Sequence, residues 1–169
     1  MNQSFTITKN TTPEKTAHVM RNLIRSLDDC PITDTAAADV ARVCASTNWS
    51  LPYSLAYYAF KAAYFEPDTD TQTIRTPRRV LTDKKANCVD YTVFICAVAR
   101  RFLRPDKVKF EIVDLDGTGY THVRPIIDGR PVDVVPGQEQ SGNEKSARKP
   151  KTFPTLHEIA ARRTKLFAT

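Results

Sequence analysis

The stretch KANCVDYTVFICAVA, residues 85–99, determines the fold predicted for this chain. It runs from polar residues through Asn87 and Cys88 into a continuous apolar segment, Val93 to Ala99. We predict a helix from Cys88 to Leu103 that is apolar nearly all round, and a helix of that kind is buried. A thiol at the start of a helix lies in the positive field of the helix dipole, which favours the thiolate. Cys88 is therefore a candidate nucleophile.

Length and composition are those of one soluble domain, residues 1–169. The chain has 169 residues, 41% of them hydrophobic and 26% charged, which is enough to bury a core. The longest apolar run is far too short to cross a bilayer. Met1 to Arg25 lacks the apolar segment of a signal peptide. We expect an intracellular protein, or one released without a leader, that makes no membrane contact.

Helix signals dominate the first half of the chain. A short strand is predicted near residues 5–9, and Thr12 to Glu14 supply an N-cap, a first-turn proline and a first-turn acid. Apolar residues at helical spacing predict a second helix from about Thr33 and a third after Ser50. Residues 66–85 are polar and hold two prolines. They predict a long connection that can include a short helical turn.

The second half of the chain carries strand signals. Residues 108–115 alternate strongly, and turn sequences separate them from predicted strands at 120–127 and 130–135. Residues 137–152 are polar and aperiodic, which predicts a flexible loop. A capping box opens a predicted last helix at 155–167. Helices followed by an antiparallel meander define an α+β fold.

A His and an Asp fall on adjoining strands of this meander. If Asp128 and Gly129 form a two-residue turn, Arg124 faces Asp133. His122 lies two residues from Arg124, so His122 and Asp133 share a sheet face as diagonal neighbours. A three-residue turn would place them on opposite faces. On one face they can supply a base and the group that orients it.

Each of these residues also has a simpler interpretation. Cys88 can be a small core residue, and His122 can be a structural histidine. Asp133 can pair with Arg124, its predicted cross-strand neighbour. The order and joint placement of the three favour a catalytic triad.

The other cysteines and the histidines do not indicate a metal site. The four cysteines, at 30, 44, 88 and 96, and the three histidines lack metal-ligand spacing. On one helix Cys88 and Cys96 are about 12 Å apart, which is too far for a disulfide. Cys30 and Cys44 could pair, but nothing in the sequence requires it. We expect neither a metal nor another cofactor.

The combination of motifs resembles the transglutaminase-like superfamily, cysteine enzymes with a papain-like fold. The matching residues are the segment 86–90 (ANCVD), then His122, then Asp133, and the resemblance covers about residues 72–135. The chain departs from the family pattern in two places. Ala86 stands where members usually carry Gly, and Val123 follows the His where many carry Trp.

The resemblance implies a Cys-bearing helix packed on a small antiparallel sheet behind N-terminal helices. It implies a Cys88–His122–Asp133 triad that forms a thioester with a protein or peptide substrate. By analogy, Gln72 is a candidate second oxyanion donor beside the Cys88 backbone, with Trp49 as an alternative. Asn87 and Asp90 would be structural residues at the helix start. We favour hydrolysis by a cysteine peptidase or amidase, and transfer to an amine acceptor is the alternative.

Charge points to a further alternative. Residues 145–169 carry seven basic side chains and one acidic side chain, while the rest of the chain is formally neutral. Such a tail is either a solvated segment or a contact for nucleic acid or another acidic surface. A non-enzymatic viral structural or nucleic-acid-binding module could use it. Small leaderless versions of the family occur in bacteria and phages, so the expected location is cytoplasmic or virion-associated.

Overall fold

A buried central helix organises the structure, a computed structural model that describes residues 4–8, 11–67, 71–114, 122–134 and 151–154. This helix, α5, spans Cys88–Ala99, and every residue from Val89 to Ala99 is buried. Its all-round burial matches the apolar pattern that predicted it. It ends at Ala99 rather than Leu103, because residues 100–103 form turns. Burial on all sides leaves only its first residue, Cys88, partly accessible.

The first three helices of the described chain pack against α5. They are α1 (Pro13–Ser26), α2 (Pro31–Thr47) and α3 (Leu51–Ala62), and each begins with proline in its first turn. The second helix starts at Pro31, slightly before the predicted position. A proline suits the first helical residue because its fixed φ is helical and the N–H it lacks has no partner there.

The polar segment between α3 and α5 contains a short helix, as its prediction allowed, and also strands, which that prediction missed. It holds β2 (Tyr64–Phe65), β3 (Thr71–Arg75), helix α4 (Pro77–Asp83) and β4 (Lys85–Ala86). Strand β3 pairs antiparallel with β1 (Ser4–Thr8), and β2 pairs parallel with β4. Long-range pairing stabilises these short strands, and a local hydrophobic pattern does not reveal it.

A four-stranded antiparallel sheet follows the central helix, with strand order β7-β6-β5-β8. The strands are β5 (Val108–Val113), β6 (His122–Ile127), β7 (Arg130–Pro131) and β8 (Lys151–Pro154). A single 3₁₀ turn, Pro105–Lys107, leads into β5. Strands β5 and β6 pack on α5.

Two predictions in this half of the chain need correction. The third strand of the meander is shorter than 130–135, because β7 ends at Pro131. The predicted flexible loop 137–152 is wrong at its end, since residues 151 and 152 belong to β8, which pairs with β5. The rest of that loop and the predicted helix 155–167 lie outside the described residues.

The turn between β6 and β7 has the predicted two-residue geometry. Asp128 and Gly129 have φ values of 49° and 78°, the left-handed pair that a tight hairpin turn needs. Ile127 pairs with Arg130, and the N–H of Val132 donates to the Pro125 carbonyl at 2.9 Å. This register confirms the predicted alignment of the hairpin, and the mixed architecture confirms the α+β class. Within the described part of the chain, no helix has the length and apolarity to cross a membrane.

Candidate functional site

Cys88 is the first residue of α5, and the residues beside it fix how the helix begins. Asn87 and Asp90 form a capping box around it. The Asp90 N–H donates to Asn87 Oδ1 at 2.8 Å, and the Asn87 N–H donates to Asp90 Oδ2 at 3.1 Å. Reciprocal caps of this kind occupy N–H groups that have no partner within the helix. The thiol therefore sits on a backbone held in one conformation.

The buried carboxylate of Asp90 also anchors the helix start to strand β3. It accepts hydrogen bonds from the Arg75 N–H at 2.6 Å and from Arg75 Nη1 at 2.8 Å. Burial raises the pKa of Asp90 to about 6, although the hydrogen bonds from Arg75 and Asn87 lower it. With all these donors on its oxygens, Asp90 acts as a tether at the helix start, which agrees with the structural role expected for it.

His122 and Asp133 meet as the hairpin register predicted. His122 Nε2 lies 2.7 Å from Asp133 Oδ2, and the two side chains are only 2% and 9% exposed. Arg124, the other partner considered for Asp133, donates from Nε to Glu111 Oε1 at 2.6 Å, and both of these side chains are buried. The structure thus pairs the imidazole with the carboxylate in a site largely shielded from water.

A threonine links the helix of Cys88 to the strand of His122. Thr92 lies one turn along α5, and its hydroxyl is 2.8 Å from the carbonyl oxygen of Cys88. The same hydroxyl is 3.1 Å from the carbonyl oxygen of Val123, the residue after His122. One hydroxyl therefore contacts the backbone beside both catalytic candidates. The first turn of α5 and the start of β6 are neighbours, as a thiol–imidazole site requires.

The four cysteines, all within the described residues, carry thiols rather than disulfides. The pairing of Cys30 with Cys44, left open by the sequence, is absent. Cys96 is fully buried, its thiol is 3.5 Å from the Lys109 carbonyl, and burial raises its pKa. Cys30, like Cys88, lies at a helix N-terminus and is partly exposed. It therefore provides an internal comparison for the effect of a helix start alone.

Gln72, the candidate oxyanion donor, lies in β3 opposite Ile7 of β1. The position of its side chain is outside what the structure describes. Its neighbour Thr73 accepts a hydrogen bond from Asn87 Nδ2 at 2.9 Å. The backbone of Gln72 is therefore tied through one residue to the start of α5. Trp49, the alternative donor, makes edge contacts with Tyr53 and Tyr57.

A cavity of about 350 Å³ adjoins the His–Asp pair. Its walls come from residues near the start of α3 (Ser50, Pro52, Tyr53 and Ala56) and from the hairpin (Arg124 and residues 130–133). Asp133 belongs both to the pair and to the cavity wall. The sequence interpretation missed Tyr53 and Arg130 as site residues. The spacing of Trp49, Tyr53 and Tyr57 at intervals of four was the available signal for an aromatic helix face.

Comparison with known proteins adds no assignment. No family model, curated protein or solved structure matches this chain. In the part of the chain that the structure describes, no group of three His, Cys, Asp or Glu side chains is placed to hold a metal ion.

Proposed function

We propose that this protein is a cysteine peptidase or amidase of the transglutaminase-like type, which cleaves an amide bond in a protein or peptide through a thioester. The observation that carries the proposal is the buried hydrogen bond between His122 and Asp133, with His122 on a strand whose backbone shares the Thr92 hydroxyl with the backbone of the partly exposed Cys88. This arrangement provides an orienting carboxylate, a base and a nucleophile in a single region of the fold. The motif resemblance in residues 86–90, 122 and 133 gives the proposal its family.

The hydrogen bond assigns a role to each nitrogen of the imidazole. An ionised Asp133 accepts the proton of His122 Nε2–H, so the neutral ring keeps its lone pair on Nδ1. Nδ1 is then the atom that removes the proton of the Cys88 thiol. The resulting imidazolium remains paired with the carboxylate in a shielded site, which stabilises the ion pair formed with the thiolate.

The proposed reaction has two steps, acylation of Cys88 and hydrolysis of the thioester. The Cys88 thiolate attacks the amide carbonyl, and Nδ1–H of His122 gives its proton to the departing amine, leaving a thioester. Nδ1 next takes a proton from water, the hydroxide adds to the thioester, and the acid leaves as the thiol is restored. An amine in place of water would make the same site an acyl transferase.

The negative oxygen of the tetrahedral intermediate needs hydrogen-bond donors. The backbone N–H of Cys88 belongs to the first turn of α5, where N–H groups point out of the helix and the dipole is positive. Gln72, on the strand tied to Asn87, is the second donor in this proposal. Neither role requires a cofactor.

Thiol labelling with peptide mapping tests the proposal. Iodoacetamide at pH 7 should modify Cys88 at least about tenfold faster than Cys30, because Cys30 has the helix start without the His–Asp pair. Cys96 should react last, since its thiol is buried and its pKa is raised. Equal rates at Cys88 and Cys30 would remove the catalytic assignment. A second measurement separates hydrolysis from transfer. On a peptide mixture with a labelled amine, hydrolysis releases carboxylic acid, whereas transfer incorporates the labelled amine.

A further inference from the structure

An aromatic face lies along α3, next to the cavity beside Asp133. Trp49, Tyr53 and Tyr57 are 38%, 58% and 39% exposed. The Trp49 ring contacts the other two edge to face, with centroid separations of 4.7 Å and 5.2 Å. A cluster of large exposed aromatic side chains that contact one another is typical of a binding surface. Tyr53 also lines the cavity, so the face and the cavity are continuous.

The charges around this surface favour an acidic ligand. Two arginines line the cavity, and one of them, Arg124, is bound to the buried Glu111. The other, Arg130, is exposed and makes no ion pair with any residue that the structure describes. Lys61 adds a second cation, with its Nζ 5.9 Å from the centre of the Tyr57 ring. A carboxylate brought to Arg130 would form a charge-assisted hydrogen bond.

The negative side chain of Asp133 on the cavity wall narrows the choice of ligand. The backbone of a nucleic acid strand carries a negative charge at every phosphate, so the part lying beside Asp133 would be repelled, whereas a peptide backbone is uncharged and its acidic side chain can point to Arg130 instead. A peptide offers backbone N–H donors between its side chains, which suit a wall of mixed charge. The volume of about 350 Å³ lies at the small end of ligand cavities, so it suits a side chain rather than a folded domain.

We propose that the cavity and the aromatic face bind an acidic peptide segment that carries an aromatic residue. The ligand ring packs on Tyr53, and a neighbouring carboxylate pairs with Arg130. The inference rests on the proposed function in one respect: it makes this surface the substrate subsite, with the bound segment lying beside the His122–Asp133 pair.

The chain contains one tryptophan, Trp49, and its position on the aromatic face makes its fluorescence a reporter of binding. The experiment uses the full chain with Cys88→Ala, so that no turnover occurs. The probe is acetyl-Asp-Phe-Asp-amide, and the comparison peptides replace both Asp by Asn or the Phe by Ala. We expect a saturable change in Trp49 emission with the first peptide, and at least fivefold weaker binding of each comparison peptide.

Variants assign the contacts. Arg130→Gln should raise the Kd for the acidic peptide about tenfold and abolish the preference over the Asn peptide. Tyr53→Ala should raise it about fivefold, since the ring contact is lost. Two matched controls lie outside the cavity lining: Arg104→Gln at an exposed arginine, and Tyr64→Ala at a tyrosine that is 81% exposed. Both should leave the Kd within twofold.

Four results would overturn the proposal. Equal affinity for the acidic and Asn peptides, or an unchanged Kd in Arg130→Gln, removes the acidic ligand. If an eight-nucleotide oligo-dT binds more tightly than the acidic peptide, and Arg130→Gln and Tyr53→Ala both lose that binding, the surface belongs to nucleic acid instead. If Cys88→Ala binds no peptide while Cys88 of the wild-type protein still labels selectively, only the subsite is removed. If Cys88→Ala binds the peptide but Cys88 of the wild type does not label selectively, only the hydrolase is removed.

Discussion

At the scale of single residues, one hydrogen bond decides whether the imidazole can act as a base. Nε2 of His122 lies 2.7 Å from Asp133 Oδ2, and an ionised carboxylate there accepts the Nε2–H proton, which leaves the lone pair of the neutral ring on Nδ1. An amide at position 133 can donate to Nε2 and thereby leave the ring proton on Nδ1. In the proposed mechanism, the Cys88 thiol would then meet a donor rather than an acceptor. The carboxylate matters through the tautomer that it selects as well as through its charge.

Asp133→Asn and His122→Ala should therefore each slow the alkylation of Cys88 at pH 7 by about tenfold. Without its base, the thiol loses the imidazolium that stabilises the thiolate in the proposed mechanism, so less of the reactive thiolate is present at pH 7. The measurement is the iodoacetamide rate at Cys88 from pH 5 to 9. Asp106→Asn, at an exposed aspartate bound to Arg104, is the matched control and should leave the profile unchanged. A wild-type profile in either site variant would contradict the assigned role.

At the scale of elements, the start of α5 depends on a buried carboxylate whose titration is shifted. The pKa of Asp90 is raised from 3.8 to about 6 in the folded protein because the group is buried. The folded state thus holds this proton more tightly than the unfolded chain does. The resulting stabilisation is complete below about pH 4 and is lost as the pH rises through about 6.

Asp90→Asn should remove this pH dependence. Between pH 4 and pH 7 the unfolding free energy of the wild type, relative to the variant, should fall by about 2 kcal/mol, most of what a shift of roughly two pKa units represents. Urea unfolding at four pH values measures it, and Asp106→Asn again serves as the control. Parallel curves for the wild type and Asp90→Asn would show that Asp90 titrates normally in the fold.

The turn between β6 and β7 sets the register that brings Asp133 to His122, and Gly129 makes that turn possible. Its φ is 78°, and nothing lies within 4 Å of where a Cβ would stand. Gly129→Ala therefore tests backbone strain without a clash and should lower the free energy of unfolding by about 1 kcal/mol. Asp128→Asn should be neutral, because asparagine tolerates the left-handed region. Unchanged urea unfolding of Gly129→Ala would contradict the turn geometry.

Local patterns in the sequence were sufficient to predict the parts of the site that neighbouring residues determine. The apolar run after Cys88 predicted the buried helix, and the Asp128–Gly129 turn predicted the His122–Asp133 contact. The pairing of β1 with β3 and of β5 with β8 joins distant segments, and local patterns carry no record of such partners. For the same reason the cavity was missed, since it forms only where the start of α3 meets the hairpin.

At the scale of the whole molecule, the basic end of the chain combines two features that experiments can separate: the strand β8 and the positive charge. Residues 151–154 form β8 and pair with β5, which is also paired with the strand of His122. Deleting residues 145–169 therefore removes a strand together with the basic charge. A loss of binding or activity in that deletion would not show which of the two was responsible.

Charge substitution separates the two parts. Lys145→Gln, Arg148→Gln and Lys149→Gln together remove three positive charges and leave β8 intact, so the unfolding free energy should change by less than about 0.5 kcal/mol. Truncation after residue 150 should cost roughly 2 kcal/mol, because β5 loses the backbone hydrogen bonds of a four-residue partner. Urea unfolding and Cys88 alkylation, measured on both proteins, test this.

A hydrolase should keep its alkylation rate in the charge variant, whereas a nucleic-acid module should lose salt-sensitive oligonucleotide binding in that variant. Slower Cys88 alkylation in the charge variant at unchanged stability would contradict the separation of tail and site.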